Sequence, residues 1–240
     1  MRRLTLTFDN GPDPECTPAV LDLLKERGVH ATLFVCGQGN RLHPALRAGR
    51  PEARAILERA KSEGHWIGNH TLTHTVELGT TRDPKVIERE IAGNEAILGA
   101  LNDRRLFRPY MGGGVLCERT FSPPAIEYLR EHGYTVVLFN CVPEDWARPD
   151  EWVDLALAKM ESLDWTLLIV HDVARYGGMK HLARFLDAVE ARGIEIVQEF
   201  PPDCLLMEKG ELRGSLAGIV SGDDPEPVHP LSRAAAEHVD

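Results

Sequence analysis

The sequence predicts one α/β domain built on a parallel sheet, either open or closed into a barrel. Strand and helix patterns alternate along most of the 240 residues, as they do in parallel sheets with helical crossovers. Glycines at 28, 64, 133 and 193 each close a helical stretch directly before the next strand, as helix-to-strand loops prefer. Reactive polar residues fall where the strands end, the rim at which parallel β/α folds bind ligands.

The elements follow in order. Leu4–Phe8 alternates apolar and polar residues and runs into the breaker Gly11-Pro12, so it reads as a strand. Ala19–Arg27 is an amphipathic helix with Thr17 as its expected N-cap and Pro18 in its first turn. Ala31–Cys36 is a short apolar strand. Pro51–Gly64 is a helix with Ala55, Ile56 and Ala60 as its apolar residues, and Trp66–Gly68 a brief strand. Asp83 caps a helix expected over Asp83–Leu101. Arg105–Phe107 is a strand, Ser122–His132 a helix, Thr135–Phe139 a buried strand and Asp150–Leu163 a helix. Thr166–Val170 is a nearly continuous apolar strand, Lys180–Arg192 a helix and Ile194–Val197 the last strand. From Pro201 to Asp240 the pattern fades. Gly222–Pro230 is acidic and proline-rich, and this stretch is expected to be an irregular tail to a catalytic domain over residues 1–200.

Composition narrows the function. The chain is 43% hydrophobic and 27% charged, with a formal charge of -10. That acidity argues against non-specific nucleic-acid or anionic-lipid binding. The five cysteines have no C-x-x-C spacing, which speaks against a disulfide framework or structural zinc knot and for a reducing compartment. No stretch approaches the ~18 apolar residues of a membrane span. MRRLTLTFDNGP has no apolar signal core, so the expectation is a cytoplasmic chain.

Five strand ends supply the candidate chemistry. They carry Asp9 and Asn10, His70 and His74, Arg108, Asp145, and His171-Asp172. His70 and His74, spaced i, i+4, would share one face of a helical turn and could bind one metal. The segment lacks the Glu of H-E-x-x-H, so the metalloprotease reading fails. Singly, each group has a plain structural reading: two unrelated histidines, a turn at Asp9–Pro12, a helix entry at Asp145-Trp146. Their joint placement makes all the plain readings together a poor account.

TFDNGP, HTLTH, FRPYMGG, EDWARP and LLIVHD stand in the order and spacing of the five motifs of the polysaccharide deacetylases, carbohydrate esterase family four, which the chain resembles over roughly residues 3 to 200. TLFVCGQ resembles the family's second strand, and GHWIGN its lead-in to the histidines. The resemblance implies a distorted (β/α)7 barrel and removal of an N-acetyl or related N-acyl group from an amino sugar. It implies one divalent cation, zinc first, with cobalt or nickel as alternatives. Carried over residue by residue, Asp9 resembles the catalytic base and Arg108 the residue that orients it. Asn10, His70 and His74 resemble the metal ligands. The backbone N–H of Met111 contributes to an oxyanion hole. His171 resembles the acid and Asp145 its partner. Trp146 forms a pocket wall, with Leu167 and Ile169 near an acetyl pocket. Two positions depart from the family: Asn10 stands where Asp is usual, and Met111 where Tyr is usual. A carbohydrate or small amide is the expected partner, and the oligomeric state is open. A deformylase or other small-amide hydrolase on the same fold, and a non-catalytic sugar-binding relative, are the alternatives.

Overall fold

The computed structural model describes residues 2–38 and 50–222. Seven strands pair in parallel: β1 (Arg3–Asp9), β2 (Thr32–Val35), β3 (Trp66–Asn69), β4 (Leu106–Phe107), β5 (Thr135–Val137), β6 (Trp165–His171) and β7 (Glu195–Ile196). The connecting helices are α1 (Thr17–Glu26), α2 (Pro51–Ser62), α3 (Pro84–Leu98), α4 (Pro123–Glu131), α5 (Trp152–Met160) and α6 (Leu182–Ala191). The strand order runs β6-β1-β2-β3-β4-β5. The sheet curls, and one bridge, Cys141 to Leu168, brings the chain beyond β5 back against β6. This is the distorted barrel the resemblance implied. Among the described residues no helix is long and apolar enough to cross a membrane.

Strand β1 shows why the barrel forms. Leu4, Leu6 and Phe8 point outward into the main core, where they meet Val20, Leu21 and Leu24 of α1 and Phe185, Leu186 and Val189 of α6. Alternation then turns Thr5, Thr7 and Asp9 to the other face. That face is the barrel interior, where Phe34, Leu106, Val137 and Leu167 form a small apolar cluster. β6 follows β1 along its whole length, in register from Arg3↔Trp165 to Asp9↔His171. The remaining edge of β1 is shared: β7 takes Arg3 and Leu4, and β2 takes Thr7 to Asp9.

Three expectations need correction. Thr17 does not cap α1. Cys16 stands at the N-cap without a side-chain hydrogen bond, because the Thr17 hydroxyl is engaged by Asp13 and Asp172. Ala55 is exposed, while α2 buries Ala60 as expected together with Ala53 and Leu57. The stretch after Pro201 is not irregular throughout. β8 (Leu205–Glu208) pairs antiparallel with β5, and β9 (Glu211–Leu212) pairs antiparallel with β8. The sheet therefore extends past residue 200 and is not wholly parallel; residues 223–240 of the expected tail lie outside the described residues. The Asp83 cap is as expected, its side chain accepting from the Lys85 N–H at 2.9 Å.

Gly68 in β3 faces the barrel interior, and a Cβ there would lie 2.6 Å from the Phe34 ring and 3.1 Å from the Leu106 Cβ. Overpacking a closed interior costs about 1–3 kcal/mol. Gly68→Ala should therefore lower the stability measured by urea unfolding by that amount; a variant as stable as the parent would show that Phe34 does not fill the interior beside it.

Candidate functional site

Strand register assembles the site. Asp9 ends β1 beside His171, which ends β6. Asn69 ends β3 beside Phe107, so His70 and Arg108 leave their strands at the same level. Asp145 comes from the β5–α5 segment and receives both the His171 backbone N–H and its Nδ1, each at 2.8 Å.

Arg108 lies inside the barrel with no exposure. Its Nη1 donates to Asp9 Oδ1 at 2.7 Å and to the Thr7 hydroxyl at 2.8 Å; Nε and Nη2 reach the carbonyls of Val137 and Leu138. The Phe34 ring lies 4.0 Å from the guanidinium carbon. Burial lowers the Arg108 pKa and the Asp9 charge opposes that shift. The second Asp9 oxygen stands 3.6 Å from His70 Nε2.

The histidine segment is not the helical turn that its i, i+4 spacing suggests. Thr71 and His74 both have left-handed backbone, with φ of 67° and 52°. Side chains from α3 hold this turn. Asn69 Oδ1 accepts from the Thr71 N–H and from Asn94 Nδ2, and Glu90 Oε2 accepts from the Thr73 N–H and hydroxyl. The His74 N–H donates to the Thr71 hydroxyl. The two imidazoles still converge, with ring centres 5.1 Å apart, and Tyr110 packs on His74 at 4.2 Å.

His70 is prepared to ligate. Its Nδ1 pairs with the Arg108 carbonyl at 2.9 Å, so Nδ1 carries the proton and Nε2 keeps its lone pair. Burial holds the ring below the usual histidine pKa, against the pull of Asp9, which favours the neutral ligand form. Among the described residues no three His, Cys, Asp or Glu side chains form a metal-holding group. A cation here would rest on two imidazoles and the Asn10 amide oxygen. That donor set suits zinc, cobalt or nickel.

His171 is set differently. Burial disfavours its charge, but Asp145, with Asp9 and Asp172 behind it, outweighs burial and raises its pKa. Trp146 and Tyr176 approach its ring edge to face at 5.1 and 5.6 Å. Ile169 and Leu167 lie one and two inward-facing positions below it on β6. Leu167 is enclosed with Phe34 and Val137 in the interior cluster. Met111 is buried and precedes the Gly112–Gly114 turn. A Cβ on Gly114 would meet Val142 at 2.9 Å and Trp146 at 3.4 Å, which places this turn against the Trp146 side of the rim.

Sequence reasoning named Asp172 at its strand end but missed what it touches. Asp172 is fully buried beneath the β1–α1 loop and hydrogen-bonds the Thr17 hydroxyl. Burial, against that hydrogen bond, pushes its pKa up to about 7. A Cβ on Gly11 would fall 2.3 Å from Asp172 Oδ2, so only glycine lets this loop close over the carboxyl. Asp13 Oδ2 accepts from the Ala174 N–H at 2.8 Å and ties the same loop to the segment after β6. The motif G-P beside H-D was visible in the sequence; that the two touch was not.

Comparison with known proteins identifies the family. The family profile described as "Polysaccharide deacetylase" matches residues 1–137. A chitooligosaccharide deacetylase from Rhizobium leguminosarum bv. trifolii is 34% identical over 174 residues, which cover 71% of this chain and 72% of the relative. A peptidoglycan-N-acetylglucosamine deacetylase from Bacillus cereus is 30% identical over 200 residues, covering 81% and 84%. Two solved structures are similar at 25% identity. One is a peptidoglycan N-acetylglucosamine deacetylase bound to an N-oxidanyl-benzamide, with a TM-score of 0.66, covering 81% of this chain and 85% of its own. The other is a family 4 acetyl xylan esterase from Clostridium thermocellum in complex with a cobalt ion, with a TM-score of 0.65, covering 82% and 87%.

Breaking a buried ion pair by removing one partner costs about 3–5 kcal/mol. Arg108→Met, which keeps an unbranched stem but deletes the charge facing Asp9, should lose that much in chemical unfolding. A loss below about 1 kcal/mol would mean that water or another cation serves Asp9.

Proposed function

This chain belongs to the polysaccharide deacetylase family, and we propose that within it the chain hydrolyses the N-acetyl group of an amino sugar in an oligo- or polysaccharide. The observation that carries this reading is the register pair Asp9–His171. It sets a carboxylate and an imidazole of raised pKa side by side, on a rim that also bears two ligand-type histidines. A sugar-binding module needs neither a buried, arginine-paired carboxylate nor a histidine held for proton delivery.

His70, His74 and Asn10 would hold the divalent cation, which supplies Lewis acidity at the amide carbonyl. Asp9 accepts a proton from the attacking water while Arg108 fixes its other oxygen. The Met111 N–H donates to the oxygen that becomes negative as water adds. His171, with Nδ1 committed to Asp145, presents Nε2 and delivers its proton to the amine as the C–N bond breaks. The products are acetate and a free amino sugar. Trp146 walls the pocket and Ile169 lies beneath the acetyl methyl.

Acetate release from N-acetylglucosamine oligomers with added zinc, cobalt or nickel tests the reading. Glycan binding with no release, or turnover confined to O-acetylated xylan, would overturn it. Asp9→Asn should keep the fold and lower turnover by about 10²–10⁴-fold, the usual loss for a general base; a variant within a few-fold of the parent would move the base elsewhere.

The pH dependence follows from His171. Its protonated form is the active one and its pKa is raised, so activity should persist past the ordinary histidine range and fall as pH rises through the shifted value. Asp145→Asn removes the main stabiliser of the imidazolium. The alkaline limb of kcat/KM should then move to lower pH. An unmoved limb would show that another group delivers the proton.

A further inference from the structure

We propose that Glu77 is a positioning residue that fixes the Met111–Gly112 turn, so that the Met111 N–H stays aimed at the oxygen that becomes negative during amide hydrolysis. The inference rests on the deacetylase reading and on Met111 as its backbone donor. The need for such a residue arises from the sequence of the turn. Met111 is followed by Gly112, Gly113 and Gly114, and the last two hold left-handed backbone, with φ of 73° and 65°. Glycine restrains a chain less than any other residue. A donor that precedes three glycines is a poor electrostatic catalyst unless something outside the turn holds it, because preorganisation is the source of its effect.

Glu77 supplies that hold. Its Oε1 accepts from the Gly112 N–H at 3.1 Å, which fixes the peptide that follows Met111. The carbonyl of the same peptide takes the Gly114 N–H at 3.2 Å, a bond internal to the turn, whereas Glu77 ties the turn to another segment. Among the described residues no hydrogen bond engages the N–H of Met111, a buried residue, so this donor is open to a ligand. Glu77 is itself anchored. Its side chain is 15% exposed, and its Oε2 stands 3.0 Å from Arg119 Nε. It precedes the 3-10 turn Leu78–Thr80, in which Leu78 is buried with Ile87, Ile91 and Phe107 and the Gly79 N–H donates to the Arg119 carbonyl at 2.8 Å. A Cβ on Gly79 would fall 2.4 Å from that backbone, so the two segments lie in contact. The other flank of Met111 is held from the same side, since the Tyr110 ring packs on His74 at 4.2 Å. Met111 thus sits between two residues that the chain from His74 to Glu77 fixes in place. The segment that carries a ligand-type histidine also sets the oxyanion donor.

Three proteins test this, each loaded with zinc: the parent, Glu77→Ala and Glu77→Gln. Alanine removes the acceptor. Glutamine keeps an oxygen for the Gly112 N–H and lacks only the charge beside Arg119. Losing an oxyanion donor outright costs about 10²–10³ in kcat, so loosening one by Glu77→Ala should cost about tenfold in acetate release from N-acetylglucosamine oligomers. KM and zinc affinity should move by less than about twofold, since the contact acts on the transition state. Glu77→Gln should recover kcat to within about threefold of the parent, because the acceptor is restored. Amide hydrogen exchange gives a readout that does not depend on turnover. Gly112 should exchange about tenfold faster in Glu77→Ala than in the parent, and near the parent rate in Glu77→Gln. An unchanged kcat in Glu77→Ala, a Glu77→Gln protein as slow as Glu77→Ala, or a loss carried by KM or zinc affinity would overturn the proposal. A parent that releases no acetate from these oligomers would instead remove the reading beneath it, whatever the exchange shows.

Discussion

A guanidinium enclosed in a β-barrel must be answered from every direction, and the arrangement around Arg108 follows from that requirement. Its charge meets Asp9, its remaining donors take a hydroxyl and two strand carbonyls, and an aromatic face covers its flat side. The five partners come from three strands: β1 gives Thr7 and Asp9, β2 gives Phe34, and β5 with the residue after it gives the carbonyls. A partly satisfied buried network is worse than an apolar core. Curling the sheet is what lets these strands reach one side chain. The polar alternation of β1 is therefore an interior pattern, the reverse of the usual solvent-facing one.

From that centre the rim is built outward in pairs. The carbonyl of Arg108 fixes the tautomer of His70 while its side chain fixes Asp9, so one residue sets both the imidazole and the carboxylate beside it. Across β1, the Asp145 carboxylate holds His171 by backbone and ring together. The two histidines end with opposite tendencies, His70 toward the neutral form and His171 toward the charged one. Burial alone would have made them alike; the difference comes from where the nearest carboxylates stand.

Local patterns in the chain were legible where local physics decides them. The parallel strands, the six helices and the convergence of reactive residues at strand ends all follow from periodicity, breakers and order. The failures have a common cause. The i, i+4 spacing of His70 and His74 suggested a helical turn, but Asn69, Asn94 and Glu90 supply hydrogen bonds that hold a left-handed path. Thr17 looked like a cap until Asp13 and Asp172, the latter 155 positions away, took its hydroxyl. β8 is four residues flanked by prolines and a Lys-Gly turn, too short to announce itself, and its partner lies far back in the chain. Tyr110, Tyr176 and Asp172 matter through contacts that no spacing encodes.

The curled sheet is laddered unevenly. β3 meets β4 at one paired position, Asn69 with Phe107, and the chain beyond β5 meets β6 at the isolated bridge of Cys141 with Leu168. Asp9 and His171, by contrast, sit at the end of the longest ladder, seven paired positions from Arg3 to Asp9. The separation of those two side chains is therefore set by the most continuous pairing in the sheet among the described residues.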